Sequence, residues 1–178
     1  MKRADLEHIL RAASRIADER DVLVIGSQAI VASVEDEALP AVATASIEAD
    51  VAFFDDPDDE KADLVDGAIG ELSPFHEMYG YYAQGVSVRT AVLPEGWRDR
   101  LVVLDTPATQ PGRGVALEPH DLVLAKLVAG REKDHAFALA LIRAGVVDAV
   151  VLHDRAAVLP VSPALISQMR SWIRSAAG

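Results

Sequence analysis

VIGSQAIVASVEDEALPAVATASIEADVAFF, residues 24–54, is the stretch that decides the fold. An apolar strand, Val22–Ile25, runs into Gly26-Ser27, and a helix over Gln28–Val34 is predicted to follow at once. The N–H groups at a helix start have no partner within the helix, so such a turn can hold an anion. Glycine lets a phosphate approach the backbone, and the serine hydroxyl donates one more hydrogen bond. The same turn also serves many proteins as an ordinary N-capped corner. Further on, Glu48 and Asp50 lie two apart on a strand predicted over Glu48–Phe54, which puts both carboxylates on one face. Side by side they repel, a cost that falls if the face is wet or if a divalent cation lies between them. Val51, Phe53 and Phe54 beside the pair mark a central strand rather than a solvated edge. Magnesium takes carboxylate and phosphate oxygens together. A phosphate cradle next to a carboxylate pair is the equipment of metal-assisted phosphoryl or nucleotidyl transfer.

Around this stretch the periodicity predicts an amphipathic helix over Ala4–Glu19, where Leu6, Ile9, Leu10, Ala13 and Ile16 recur at three- and four-residue steps. A loop over Glu35–Ala45 separates the two motifs. An acid-rich turn, Asp55–Asp59, precedes a helix over Glu60–Leu72, and Ser73–Gly80 reads as a connector. Strand-like alternation runs over Tyr81–Leu93, with a further strand at Leu101–Leu104. Thr106–Gly114 reads as an exposed loop, and Val115–Leu117 as a short strand. Helices follow at Pro119–Ala129, Lys133–Ala144, Asp148–Arg155 and Ser162–Ser175. The expected fold is α+β: a mixed sheet flanked by helices over residues 1–118, and a helical part over residues 119–178 packed on it as one compact unit.

Composition limits the function. The 178 residues carry a formal charge of −11 and contain no cysteine. Thiolate metal sites, disulfides and cysteine nucleophiles are therefore excluded. Non-specific coating of DNA would call for a basic surface. The negative charge is concentrated in residues 48–71, which hold ten acids and one base; the rest is close to neutral. No apolar run is long enough to span a bilayer and no signal core follows Met1, so a cytoplasmic location without membrane contact is expected. The acid run Asp55–Glu60 lacks the glycine and distal glutamate of a calcium loop, and the histidines show no zinc spacing.

The Gly26-Ser27 turn followed by Ser46-x-Glu48-x-Asp50-Val51 resembles the signature of the nucleotidyltransferase-fold superfamily. A second block, Leu117-Glu118-Pro119-His120-Asp121-Leu122 through Lys126 and on to Gly130-Arg131-Glu132-Lys133-Asp134, is similar to a helix–loop–helix of small bacterial nucleotidyltransferase-like proteins related to AbiEii-type toxins. The resemblance covers residues 20–145. It implies that Gly26 and Ser27 hold a triphosphate and that Glu48 and Asp50 hold Mg2+ (or Mn2+). It implies that Lys126 neutralises phosphate charge, while Arg131 and Asp134 line the same cleft, Asp134 as a further acid. The implied reaction moves a nucleoside monophosphate from an NTP to a hydroxyl of RNA, protein or a small molecule, in a toxin-like enzyme with an antitoxin-like partner. Read without the resemblance, Lys126 and Asp134 are equally surface charges on consecutive helices.

Two departures weaken that implication. The first acid is Glu48 rather than aspartate. The family's third acid, sought on Gly85–Val92, is missing, which leaves Asp134 as the candidate base; Arg89 there is a phosphate contact or a strand-edge charge. A catalytically degenerate member that binds a nucleotide or a protein is therefore the alternative. A pure scaffold would require Glu48 and Asp50 to be neutralised in a dry core.

Overall fold

The computed structural model describes residues 1–178. Helix α1 (Arg3–Ala17) buries Leu6, Ile9, Leu10 and Ala13 as one stripe, and Asp18 ends it in a left-handed conformation. Strand β1 (Asp21–Val24) follows, with Val22, Leu23 and Val24 all fully buried. Burial on both faces is the reason this strand lacks polar alternation: it is the middle of the sheet. The helix expected over Gln28–Val34 is shorter, α2 at Ala29–Ser33. The segment expected as a loop carries a 3-10 turn at Asp36–Ala38 and a one-turn helix, α3 (Ala41–Thr44), entered through Pro40.

Strand β2 (Glu48–Ala52) leads to α4 (Glu60–Ile69), three residues shorter than expected. The expected connector contains α5 (Pro74–Tyr79): Ser73 Oγ accepts from His76 N–H at 3.2 Å, and Pro74 sits in the first turn. Strand β3 is Tyr82–Gly85 alone. Beyond it lie an irregular step at residues 86–87 and a 3-10 turn at Val88–Thr90, and Val86 and Val88 still pack against the core. Strands β4 (Val102–Leu104) and β5 (Arg113–Ala116) complete the sheet. Thr109, expected in an exposed loop, is fully buried, its hydroxyl donating to Thr106 O at 2.9 Å.

The sheet order is β3-β2-β1-β5-β4. β1 is antiparallel to β2 and parallel to β5; β2 is parallel to β3; β4 is antiparallel to β5. The protein is thus α+β with a mixed, helix-flanked sheet. Helices α6 (Pro119–Ala129), α7 (Glu132–Arg143), α8 (Ala149–Arg155) and α9 (Pro163–Ala176) follow the last strand. One continuous apolar cluster takes in residues from Met1 to Ile173, so these helices share the core of the sheet. No helix is long and apolar enough to cross a membrane.

A buried ion network fastens α6. Asp121 is 0% exposed and accepts from Arg100 Nε at 2.8 Å and from an Arg155 guanidinium nitrogen at 2.9 Å. Glu118 caps α6 by accepting from the His120 and Asp121 backbone N–H groups, and it also pairs with Arg155. Asp121 of the second sequence block is therefore a clamp on this helix. The site-facing residues of the block lie further along the chain, from Lys126 onward.

Candidate active site

The register of β1 and β2 builds the site. Ile25 N–H donates to Asp50 O at 3.1 Å, which sets Asp50 beside the turn that closes β1. Gly26 has no side chain, and its missing Cβ would stand 1.6 Å from Asp50 Oδ2. The glycine thus makes room for the acid's carboxylate as well as for any phosphate. Ser27 follows on the open side. Gln28 beneath it is fully buried; its amide nitrogen lies 3.5 Å from both Ser27 Oγ and Ala43 O, and its Oε1 has no partner.

Glu48 is held from two sides. Its N–H donates to Ser46 Oγ at 3.1 Å, and its carboxylate accepts from the Tyr82 hydroxyl at 2.7 Å. In the β2–β3 register Tyr82 pairs with Glu48, and Gln84 with Asp50. Burial first, then the bond to Glu48, holds the Tyr82 hydroxyl firmly in its protonated form. Asp50 has its pKa raised by burial and by the Glu48 charge, with Lys126 and Arg131 pulling the other way.

The cations come from the second block. Lys126 lies on α6, and Gly130 (φ 69°) turns the chain into α7 at Arg131. Asp134 is 2% exposed. It accepts from Arg131 Nε at 2.6 Å and from the Arg131 backbone N–H at 3.3 Å, with Lys126 Nζ at 3.8 Å. Burial raises its pKa, but the Arg131 bonds and the Lys126 charge outweigh that and hold it low. A depressed carboxylate so engaged is a poor proton acceptor, and it anchors both cations.

Ser27, Glu48, Asp50, Lys126 and Asp134 meet in one cleft of about 380 Å³, with Arg131 and Lys133 at its rim. A second chamber of about 410 Å³ adjoins it and shares Asp50, Lys126 and Arg131. The carboxylate pair therefore faces open space, not the dry core a scaffold would need.

Residues 4–162 match the family described as a nucleotidyltransferase of unknown function (DUF6036). The chain belongs to that family. No curated protein and no solved structure matches it. Membership gives the nucleotidyltransferase kind, and the geometry says which side chains this member brings to the cleft. Arg89, expected as a phosphate contact, is not among them: its guanidinium donates to Pro57 O, because the segment that carries it is a turn and not a strand. The helix that follows Ser27 is also short, α2 spanning five residues, so its dipole is modest. The cationic side chains that line the cleft are Lys126, Arg131 and Lys133.

Two cleft residues, and one that supports Glu48, escaped the sequence reading. Gln84 stands in register with Asp50 where a third acid was sought further along; with β3 bounded at 82–85, the alternating pair Tyr82 and Gln84 would have pointed to it. Tyr82 and Lys133 are the other two. No set of three or more His, Asp or Glu side chains gathers for a metal. Two carboxylates on one face are nonetheless a donor set that suits magnesium, which keeps several waters and takes its remaining oxygens from substrate phosphate. The expected turn at Asp55–Asp59 is a helix entrance: the Asp56 carboxylate accepts from the Lys61 and Ala62 N–H groups, both at 3.0 Å.

Proposed function

We propose that this protein transfers a nucleoside monophosphate from an NTP to a hydroxyl acceptor with the help of Mg2+ or Mn2+. The observation that carries this reading is the meeting of the Gly26-Ser27 turn, the Glu48–Asp50 pair and the Lys126–Arg131 cations in one open cleft. Ser27 and the cations hold the triphosphate. Glu48 and Asp50 would hold the cation, which neutralises phosphate charge when bound. Tyr82 keeps the Glu48 carboxylate aimed despite its extra methylene. The acceptor oxygen bonds to the α-phosphorus, the bond from that phosphorus to the pyrophosphate oxygen breaks, and the hydroxyl proton leaves to water. Lys126 and Arg131 stabilise the charge that develops on the departing pyrophosphate. Asp134 contributes by positioning those two cations.

The test is thermal unfolding with magnesium and each NTP, paired with transfer of label from an α-phosphate-labelled NTP. Ligand at a hundred times its dissociation constant stabilises by about 2.7 kcal/mol, which corresponds to a rise of about 5–10 °C for a domain of this size. The shift is expected in the wild type and not in Asp50→Asn; its absence from both would sink the proposal. Gln84 favours a second reading, since an amide cannot replace a third acid: a member that binds a nucleotide and does not transfer it. That reading is right if the shift occurs with no acceptor labelled. The resemblance to AbiEii-type toxins supports a toxin-like role with an antitoxin-like partner. It predicts growth arrest on expression that Asp50→Asn relieves.

A further inference from the structure

Arg170 and Arg174 stand one turn apart on α9 and have no carboxylate partner, although the chain has 28 acids for 17 bases. The acids are not spread evenly. Residues 119–178 hold seven bases and five acids, and the residues before them hold ten bases and 23 acids. Like charges four apart on a helix repel. Both guanidinium groups are nonetheless drawn onto one imidazole, that of His153 on α8. Arg170 Nε donates to His153 Nε2 at 3.0 Å, and Arg174 Nη1 donates to the same nitrogen at 3.1 Å. A second Arg170 nitrogen lies 3.2 Å from His153 Nδ1.

The ring cannot satisfy these donors. A neutral imidazole has one bare nitrogen, and a protonated one has none. Asp154 Oδ1, 3.3 Å from His153 Nδ1, draws the ring proton to that side and leaves one lone pair, on Nε2, for two donors. The Arg170 nitrogen beside Nδ1 then faces an N–H. Each guanidinium has five N–H groups, and His153 is the one side chain that either arginine bonds to. The surplus borders an open cavity of about 540 Å³ between α8 and α9. Ser167, Arg170 and Arg174 line it from one stripe of α9, at steps of three and four, with His153 supplied by α8. No acid lines this cavity, and it shares no residue with the cleft or its second chamber. Arg174 has a separate reason for its place, since the last turn of a helix favours a cation; Arg170, in mid-helix, has none.

We infer that this cavity is a second anion site and that its ligand is a phosphate group, free or as a monoester. An anion between the two guanidinium groups replaces their repulsion by attraction and takes up the donors that the imidazole leaves over. One planar fork already matches a carboxylate. Two forks and the Ser167 hydroxyl offer donors from more than one direction, which suits the outer oxygens of a tetrahedral phosphate. The site stands independently of the transfer reading above.

The experiment follows the Nε–H resonances of Arg170 and Arg174 by nitrogen-15 NMR as inorganic phosphate, glycerol 3-phosphate or acetate is added at constant pH and ionic strength. Arg170→Lys and Arg174→Lys assign the two resonances; they keep the charge and remove the forks. The rise in melting temperature with phosphate is read on the same variants and on Lys126→Gln, which takes a cation from the cleft. Expected are saturable shifts of both resonances with the two phosphates and little response to acetate. Half-saturation should need about tenfold more phosphate in either arginine variant, the scale of one bond to a charged group, and the same amount in Lys126→Gln. Tighter binding of glycerol 3-phosphate than of inorganic phosphate makes the ligand a monoester, and the reverse order makes it the free ion; both support the site. Three results would overturn it: no saturable change in either resonance up to about 20 mM phosphate, an equal response to acetate, or stabilisation that survives in the arginine variants and is lost in Lys126→Gln, which would place the phosphate in the cleft.

Discussion

The carboxylate of Asp50 fills the space that a side chain at Gly26 would need: a Cβ on Gly26 would come within 1.6 Å of Asp50 Oδ2 and 2.7 Å of Asp50 Cβ. The glycine of one motif and the acid of the other are halves of a single fit. Gly26→Ala should therefore displace Asp50, destabilise the protein by about 1–3 kcal/mol through overpacking, and remove the magnesium-dependent NTP shift. In the double variant Gly26→Ala/Asp50→Gly the clash is gone. Its unfolding free energy, from urea titration, should exceed the value predicted by adding the two single effects; simple additivity would mean that the two residues do not compete for the space.

Asp50 should also reveal itself through stability. Its pKa is raised in the folded protein by burial and by Glu48, so the ionised form is disfavoured there. The sign follows: this group's contribution to stability is present at low pH, and it diminishes as pH rises from the ordinary aspartate value through the raised one. At neutral pH without metal, Asp50→Asn should melt above the wild type even though it loses nucleotide binding. Calorimetry in a chelating buffer decides it, and a lower melting temperature for the variant would refute this account of the pair. Cation binding should weaken as pH falls through the same window.

Tyr82→Phe removes the donor to Glu48 Oε2 and leaves the ring's packing against His76 in place. The fold should persist. The magnesium concentration for half-maximal NTP shift should rise about tenfold, the scale of one bond to a charged group. An unchanged magnesium dependence would show that Glu48 needs no help from Tyr82.

Asp121 has a different fate because its partners are arginines in a closed network. Asp121→Asn leaves Arg100 and Arg155 without their shared carboxylate and should cost about 3 kcal/mol or more in urea unfolding. Glu118 in the same network is pushed up by burial but held down, to about 2, by His120 and Arg155. Its stabilisation is complete above the ordinary glutamate range and is lost as pH falls from about 4.5 to about 2. Acid unfolding followed by circular dichroism should therefore begin at a higher pH in Arg155→Met than in the wild type.

Much of the site could be read from residues 24–54 because its logic is local: a strand end, a glycine, and two acids at strand spacing. The central strand and the capped helix at Pro119 were equally plain, since burial on both faces and proline at a first turn leave direct marks in the order of residues. The segment after Tyr81 misled because valines spaced by two can reach a core from a 3-10 turn as well as from a strand, and Arg89 was misplaced along with it. Asp134 was legible as a cleft residue. Its burial under Arg131 depends on how α7 leaves Gly130, a matter of tertiary geometry that spacing does not encode. Tyr82 and Gln84 were hidden for a similar reason: only the β2–β3 register brings them beside Glu48 and Asp50.

The two halves of the cleft are far apart in the order of synthesis. Glu48 and Asp50 leave the ribosome well before Lys126 and Arg131, which complete the electrostatics of their cleft. A nascent chain stopped short of α6 thus carries an acid pair that no cation of its own offsets. It has neither the cations of the cleft nor the α6 wall of the second chamber. The cleft is in this sense timed by translation, and is complete only with the last third of the polypeptide.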